Sequence, residues 1–276
     1  MTAADGTVYY ASETFVHALR QGNISRISDV TTNQKMEVLS CNEHSVYAGS
    51  NTGFVHKINA DAVTGTTQIE GAKILDIGQS NENLYVLSHR KEIHEVCANT
   101  MTVKRAVPIG YDGRCLTYVK STDEVWVGDK KGFVHVLAAA SLEQTSEFEC
   151  FPVQISVDVL ACSADGTKVV AGDHKRNVKI MDATSKEEQH SHGHHKNFVA
   201  GVCFTADGMG VASISDDHSL VVCDLGTKKF FQVPRIHADK RVNSITMTAD
   251  RTIFTVGDDC QVREWPASAT WDKIPA

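Results

Sequence analysis

IHADKRVNSITMTADRTIFTVGDDCQVREW, residues 236–265, decides how this chain folds. A β-prone run, VNSITM, closes in the turn pair Ala249-Asp250. A second run, IFTV, ends in Gly-Asp-Asp, and a third, VREW, follows. Short β-prone runs joined by Gly, Asp and Asn predict antiparallel strands in a meander. The same frame recurs in VDVLACSADGTKVVAGD (157–173) and FVAGVCFTADGMGVASIS (198–215), where Ala164-Asp165 and Ala206-Asp207 close the first run.

Working outward, a turn followed by a β-branched run recurs seven times. The copies read AADGTVYY, AGSNTGFVHKI, LSHRKEIHEV, VGDKKGFVHVL, AGDHKRNVKIMD, SISDDHSLVVCD and VGDDCQVREW. With the first apolar residue after each turn as marker, the copies fall at Val8, Val55, Ile93, Val134, Val178, Leu220 and Val262. The gaps are 47, 38, 41, 44, 42 and 42. Seven copies at a period of about forty predict an all-β, seven-bladed propeller of four-stranded antiparallel blades. No stretch keeps a helical period over a dozen residues.

Composition narrows the function. Lys and Arg number 27 against 34 Asp and Glu, a net charge of −7. That charge speaks against a general nucleic-acid binder, which needs a basic surface. No apolar run approaches the ~18 residues of a membrane span, and MTAADGTVYY has no signal-peptide pattern. None of the eight cysteines forms a CxxC pair, and most lie in apolar runs, so they read as buried free thiols of a reducing compartment.

The last copies resemble the WD-repeat family, which places Gly-His before the innermost strand, an Asp in a hairpin turn, and Trp-Asp after the third strand. Residues 193–224 offer Gly193-His194, Ser213, Asp217 and Cys223-Asp224, with cysteine in the tryptophan position. Residues 237–265 offer His237, Thr255, Asp259 and Trp265, with Pro266 in place of the final Asp. These residues (His194, Ser213, Asp217, His237, Thr255, Asp259, Trp265) are expected to chain hydrogen bonds through a blade, since a buried Asp and a buried indole both need partners. His194 to Asp217 is 23 positions and His237 to Asp259 is 22. Copy one keeps only Asp5 of this set.

Within that family the chain is similar to the actin-interacting protein 1 family, two-propeller proteins that work with cofilin. The similarity runs through IGYDGRCLTYVKSTDEVWVGDKKGFVHVL (109–137), the stretches at 157–173 and 192–213, and the opening stretch above; QGNISRI (21–27) resembles a blade-joining segment. It implies a protein-binding platform, not an enzyme, that engages cofilin-decorated actin filaments and promotes their disassembly in the cytoplasm, on the actin cytoskeleton. The alternative is a WD-repeat scaffold or adaptor in an unrelated complex. The expected organisation is a single propeller over 1–276, with an incomplete first blade over about 1–20, blades two to seven over about 21–276, and ATWDKI (269–274) as the last outer strand. The chain is expected to be the C-terminal half of a longer protein.

Chemistry is sparse. HSHGHH (190–195) could gather imidazoles for zinc, but no carboxylate or cysteine completes a familiar spacing, and Gly193-His194 already has a structural reading. Ser213 sits mid-strand, not on a nucleophile elbow. GSNTG (49–53) and GYDG (110–113) are turns without a phosphate-loop frame. No metal site and no cofactor is expected. The pairs Lys130-Lys131, Lys175-Arg176 and Lys240-Arg241 fall in connections that a propeller places at one face. With Tyr111, Asp112, Arg114, His195 and Lys196 they form the candidate partner-binding face of an expected monomer that binds protein, not nucleic acid or membrane.

Overall fold

The computed structural model describes residues 7–12, 15–20, 23–27, 35–41, 45–59 and 62–275. Asp5 and the first two residues of QGNISRI lie outside them. The chain is an all-β, seven-bladed propeller whose blades are antiparallel meanders of three or four strands. By contacts it divides into two compact units, Met1–Tyr118 and Val119–Ala276.

The first unit begins with a three-stranded sheet, β1 (Val8–Ser12), β2 (Phe15–Arg20) and β3 (Asn23–Ile27). Two four-stranded sheets follow. One is β4 (Met36–Cys41), β5 (Val46–Ser50), β6 (Phe54–Asn59) and β7 (Ala62–Gln68). The other is β8 (Ile74–Gln79), β9 (Asn83–Ser88), β10 (Glu92–Cys97) and β11 (Val103–Pro108). The fourth sheet orders β12 (Gly113–Val119), β13 (Glu124–Asp129), β14 (Phe133–Ala138) and β15 (Gln144–Glu149). The second unit continues with β16 (Val157–Cys162), β17 (Lys168–Asp173), β18 (Val178–Asp182) and β19 (Glu188–His192), then β20 (Val199–Phe204), β21 (Gly210–Ser215), β22 (Leu220–Asp224) and β23 (Phe230–Val233). A three-stranded sheet of β24 (Val242–Met247), β25 (Ile253–Gly257) and β26 (Val262–Trp265) ends the series.

Burial explains the strand order. Second strands such as VYAGS of β5 and GVASIS of β21 are buried along their whole length. They are covered on both faces and so are apolar without alternation. Outer strands are mostly exposed or half-buried: AVTGTTQ of β7 alternates exposed and half-buried throughout, and QTSEFE of β15 is exposed at all but one position. A polar outer edge protects the sheet from pairing with other chains. The inner strands share a β-bulge near their start, between Met36 and Val38, Ile74 and Asp76, Val157 and Val159, Val199 and Gly201, and Val242 and Ser244. A bulge raises local twist, which suits strands that pack side by side. Gly172, in the AGD turn approach, lies so close to the next inner strand that a Cβ would sit 2.6 Å from Val199 Cγ1.

Three expectations are corrected. First, Asn23–Ile27 pairs with β2, so the first sheet extends past residue 20 to Ile27. β1 packs on β4 as β5 packs on β8 and β21 on β24, so β1 holds the second-strand position and β2 the third. The marker of copy one is therefore Val16, buried, and not Val8; Phe15-Val16-His17 matches Phe54-Val55-His56 and Phe133-Val134-His135. The first blade lacks an inner strand among the described residues. Second, ATWDKI is not a strand: Ala267–Ala269 and Trp271–Lys273 are single 3-10 turns. Trp271 is buried in the cluster of Ile214, Leu220, Ile245 and Ile253. The last described sheet keeps three strands. Third, the cysteines are all free, but Cys260 is exposed and Cys41, Cys97, Cys162 and Cys203 are only partly buried.

Candidate protein-interaction surface

The last blade contains a closed relay of side chains. Trp265 Nε1–H donates to Thr255 Oγ at 3.0 Å. Thr255 Oγ lies 2.8 Å from His237 Nε2, and His237 Nδ1 lies 2.7 Å from Asp259 Oδ1. One assignment satisfies every member: Thr255 donates to Nε2, and Nδ1–H donates to the carboxylate. Arg263 donates to the other Asp259 oxygen at 3.0 Å. Burial works to raise the Asp259 pKa, but the His237 bond, the Gln261 N–H and Arg263 outweigh it and hold it below the ordinary value.

The sixth blade repeats this relay with a different histidine. His195, not His194, bonds Ser213 Oγ at 2.8 Å through Nε2, and Ser219 Oγ at 3.1 Å and Asp217 Oδ2 at 3.4 Å through Nδ1. The sequence separations of 22 to the Asp and 18 to the hydroxyl then equal those of His237. The Gly-His dipeptide had set the frame one residue early. His195 is 2% exposed, which removes it from the partner-binding candidates. His194 instead stacks on Phe230, ring centroids 3.4 Å apart, and on His192 at 4.8 Å. Cys223, in the tryptophan position, faces His190 Nε2 at 3.6 Å and gives Ser213 no indole donor. Burial again favours a higher Asp217 pKa, but bonds from His195, Ser219 and the Lys196 N–H hold it far below the usual range. No group of three His, Cys, Asp or Glu suited to a metal ion occurs among the described residues.

A meander places the turn between its second and third strands at the same end as the loop entering its first. In the second unit that end carries the expected basic pairs, all exposed: Lys130-Lys131, Lys175-Arg176, Lys196 and Lys240-Arg241. Sequence reasoning missed the carboxylates that set these turns. Asp129 Oδ1 accepts the Lys131 and Phe133 N–H groups. Asp173 Oδ1, fully buried, accepts the N–H groups of Lys175, Arg176 and Asn177. The signal was the Gly-Asp closing VGD and AGD. It also missed a three-residue ladder: His174 stacks on Phe198 at 5.3 Å, and the Arg241 guanidinium lies 5.0 Å over the same ring. Arg241 pairs with Asp216 at 3.3 Å, and His174 bonds Asp158.

A chain of contacts ties the turns together. Gln154 N–H bonds Lys131 O, His174 N–H bonds Ser156 O, and His218 Nδ1 bonds Lys240 O. In the first unit, the loop into β12 holds Tyr111 half-buried with Asp112 and Arg114 exposed, and Asp112 pairs with Lys91 at 3.0 Å. Tyr111 is therefore not a fully displayed aromatic.

The seven meander sheets form a β-propeller, and the relay found in its last two blades resembles that of WD-repeat proteins. No family model matches the chain. Its homologues are WD-repeat proteins at modest identity. It is 28% identical over 166 residues to Actin-interacting protein 1 of Caenorhabditis elegans, covering 58% of this chain and 27% of that protein. It is 26% identical over 160 residues to WD repeat-containing protein 1 of Xenopus tropicalis, covering 57% and 26%. A third match is WD repeat-containing protein 55 of Arabidopsis thaliana, 29% identical over 88 residues, covering 32% and 25%. The chain thus spans about a quarter of the length of these relatives. Among solved structures, one chain of the mitotic checkpoint complex superposes with a TM-score of 0.81 over 95% of this chain and 86% of its own; at 13% identity this speaks for the fold alone.

Proposed function

We propose that this chain is a non-enzymatic scaffold that binds cofilin-decorated actin filaments and promotes their disassembly. The observation that carries the reading is the 166-residue similarity to Actin-interacting protein 1. A WD-repeat propeller serves generally as a protein-interaction platform, and the rigid, turn-pinned basic end of the second unit supplies a preordered surface. Little conformational entropy is lost when such a surface engages a partner. The action would be recognition of an altered filament surface, with no bond made or broken by the protein, carried out by a monomer in the cytoplasm.

Co-sedimentation with actin filaments tests this. Binding is expected with cofilin present and weaker without it; equal pelleting in both, or none in either, would overturn it. The match to WD repeat-containing protein 55 favours a second reading, a scaffold in an unrelated complex. No binding to filaments, together with capture of another protein complex by the full chain, would favour that one.

A further inference from the structure

The basic end of the second unit has more specific chemistry than a general docking face. Lys130, Lys131, Lys175, Arg176, Lys196 and Lys240 are all exposed, and among the described residues no carboxylate lies within 4.0 Å of any of their side-chain nitrogens. Yet the chain carries a net charge of −7. The nearby acids are engaged elsewhere: Asp129 and Asp173 bind turn N–H groups, Asp217 binds His195, Asp158 binds His174, and Asp216 binds Arg241. Exposed carboxylates at this end reduce to Glu149, Asp239, which pairs loosely with Arg235 at 3.9 Å, and Asp258, which accepts from Asn243. The His174, Phe198 and Arg241 ladder crosses three successive blades here, with the His174 and Arg241 side chains 60% and 54% exposed.

We propose that this end binds an acidic, extended peptide segment of a protein partner. The segment lies along the ladder, its carboxylates reaching the free lysines and Arg176. The inference rests on the scaffold reading above and adds the partner's chemistry. Charge complementarity selects the occupant: free cations concentrated at one end of the chain attract a polyanionic segment. The ladder selects peptide over single-stranded nucleic acid. Nucleic acids use open aromatic faces on which bases stack, and the Phe198 ring is already engaged by His174 and Arg241. The turns are fixed in advance, since Asp173 holds three consecutive backbone N–H groups beneath Lys175 and Arg176.

The test is fluorescence anisotropy of a labelled peptide of Glu-Glu-Leu repeats against the full chain, with a Gln-Gln-Leu peptide and oligothymidylate as comparisons. The Glu peptide is expected to bind, to weaken as salt rises to about 0.5 M, and to outcompete oligothymidylate. The double substitution Lys175→Glu, Arg176→Glu is expected to weaken it about tenfold or more, and Arg241→Ala to weaken it less. Lys228→Glu, Lys229→Glu, on an exposed turn at the opposite end, is expected to leave it unchanged. Melting curves confirm that the variants fold. Equal affinity for oligothymidylate, or no loss in the Lys175, Arg176 variant, overturns the proposal. The filament assay separates the readings. Peptide binding without filament binding upholds this inference and overturns the actin reading; filament binding without peptide binding does the reverse.

Discussion

Acid should loosen the second unit through one histidine. His192, at the end of β19, is 8% exposed, and neither ring nitrogen has a hydrogen-bond partner among the described residues. Its neighbours are other imidazoles: His194 at 4.8 Å, His190 at 6.2 Å, and His195. No carboxylate compensates a charge there. Burial, reinforced by His194, His195 and His190, pushes its pKa from 6.5 down to about 3. The unfolded chain takes up a proton near pH 6.5 and the folded chain only near pH 3. The contribution is therefore intact above pH 6.5 and falls as pH drops from 6.5 towards 3. One pKa unit is worth about 1.4 kcal/mol, so at pH 5 the loss is about 2 kcal/mol. Urea unfolding followed by tryptophan fluorescence reads this directly, because Trp126, Trp265 and Trp271 all lie in the second unit. His190 and His194 are shifted the same way, so the wild type alone does not isolate the effect. The comparison is His192→Leu, whose stability should fall about 2 kcal/mol less between pH 7.5 and pH 5. An unchanged pH dependence in that variant would refute the reasoning.

Three further outcomes follow from named contacts. His195→Ala should cost about 2–4 kcal/mol, by breaking a buried network and leaving Ser213 and Asp217 short of partners, whereas His194→Ala should cost about 1 kcal/mol or less; thermal melting of the two variants checks the one-residue assignment. Trp271→Ala should cost about 3–5 kcal/mol, as expected for emptying a buried indole site, measured by denaturant unfolding; a loss below 1 kcal/mol would mean the tail does not pack on β20–β25. Asp173→Ala should leave three turn N–H groups without their acceptor and cost about 1–3 kcal/mol; hydrogen exchange of Lys175, Arg176 and Asn177 should quicken selectively, and uniform exchange would contradict the pinned turn.

The repeat made the fold legible, and its failures are local and physical. Copies at Val55 to Val262 mark third strands correctly because each follows a short polar turn, with Gly, Asp or Asn in all but the His89-Arg90-Lys91 turn before Ile93. Copy one breaks because its first described strand, Val8–Ser12, is a second strand, and the frame was taken from the turn before it. The internal cue was FVH at 15–17, 54–56 and 133–135, a side-chain match that a count of turn residues ignores. The tail misled because a single 3-10 turn is shorter than any period can register, although the three-residue step from Trp271 to Ile274 puts them on opposite faces of a strand and on one face of a helical turn. The relay in the sixth blade was legible as a set but misplaced by one, and the mismatch of 23 against 22 positions was the visible sign. The ladder was not legible at all: His174, Phe198 and Arg241 come from three blades, and nothing in their local sequence announces that they stack.

The placement of charge has one further consequence. Asp129 and Asp173 end second strands, where a carboxylate accepts the free N–H groups of a tight turn. Lysine or arginine follows each in the turn itself, where the side chain can only point outward. The same hairpin thus turns its acid inward and its bases outward. Present in two successive blades, and joined there by Lys196 and Lys240-Arg241 from loops that enter first strands, this gives an acidic chain a basic end without any basic excess in its composition. Net charge, a sum over the whole chain, concealed this local surface. The carboxylates that hold the turns are also the groups whose loss would blur it. In Asp173→Ala the cations remain but their fixed geometry does not, so a partner that reads position should be lost, while one drawn by charge alone should stay.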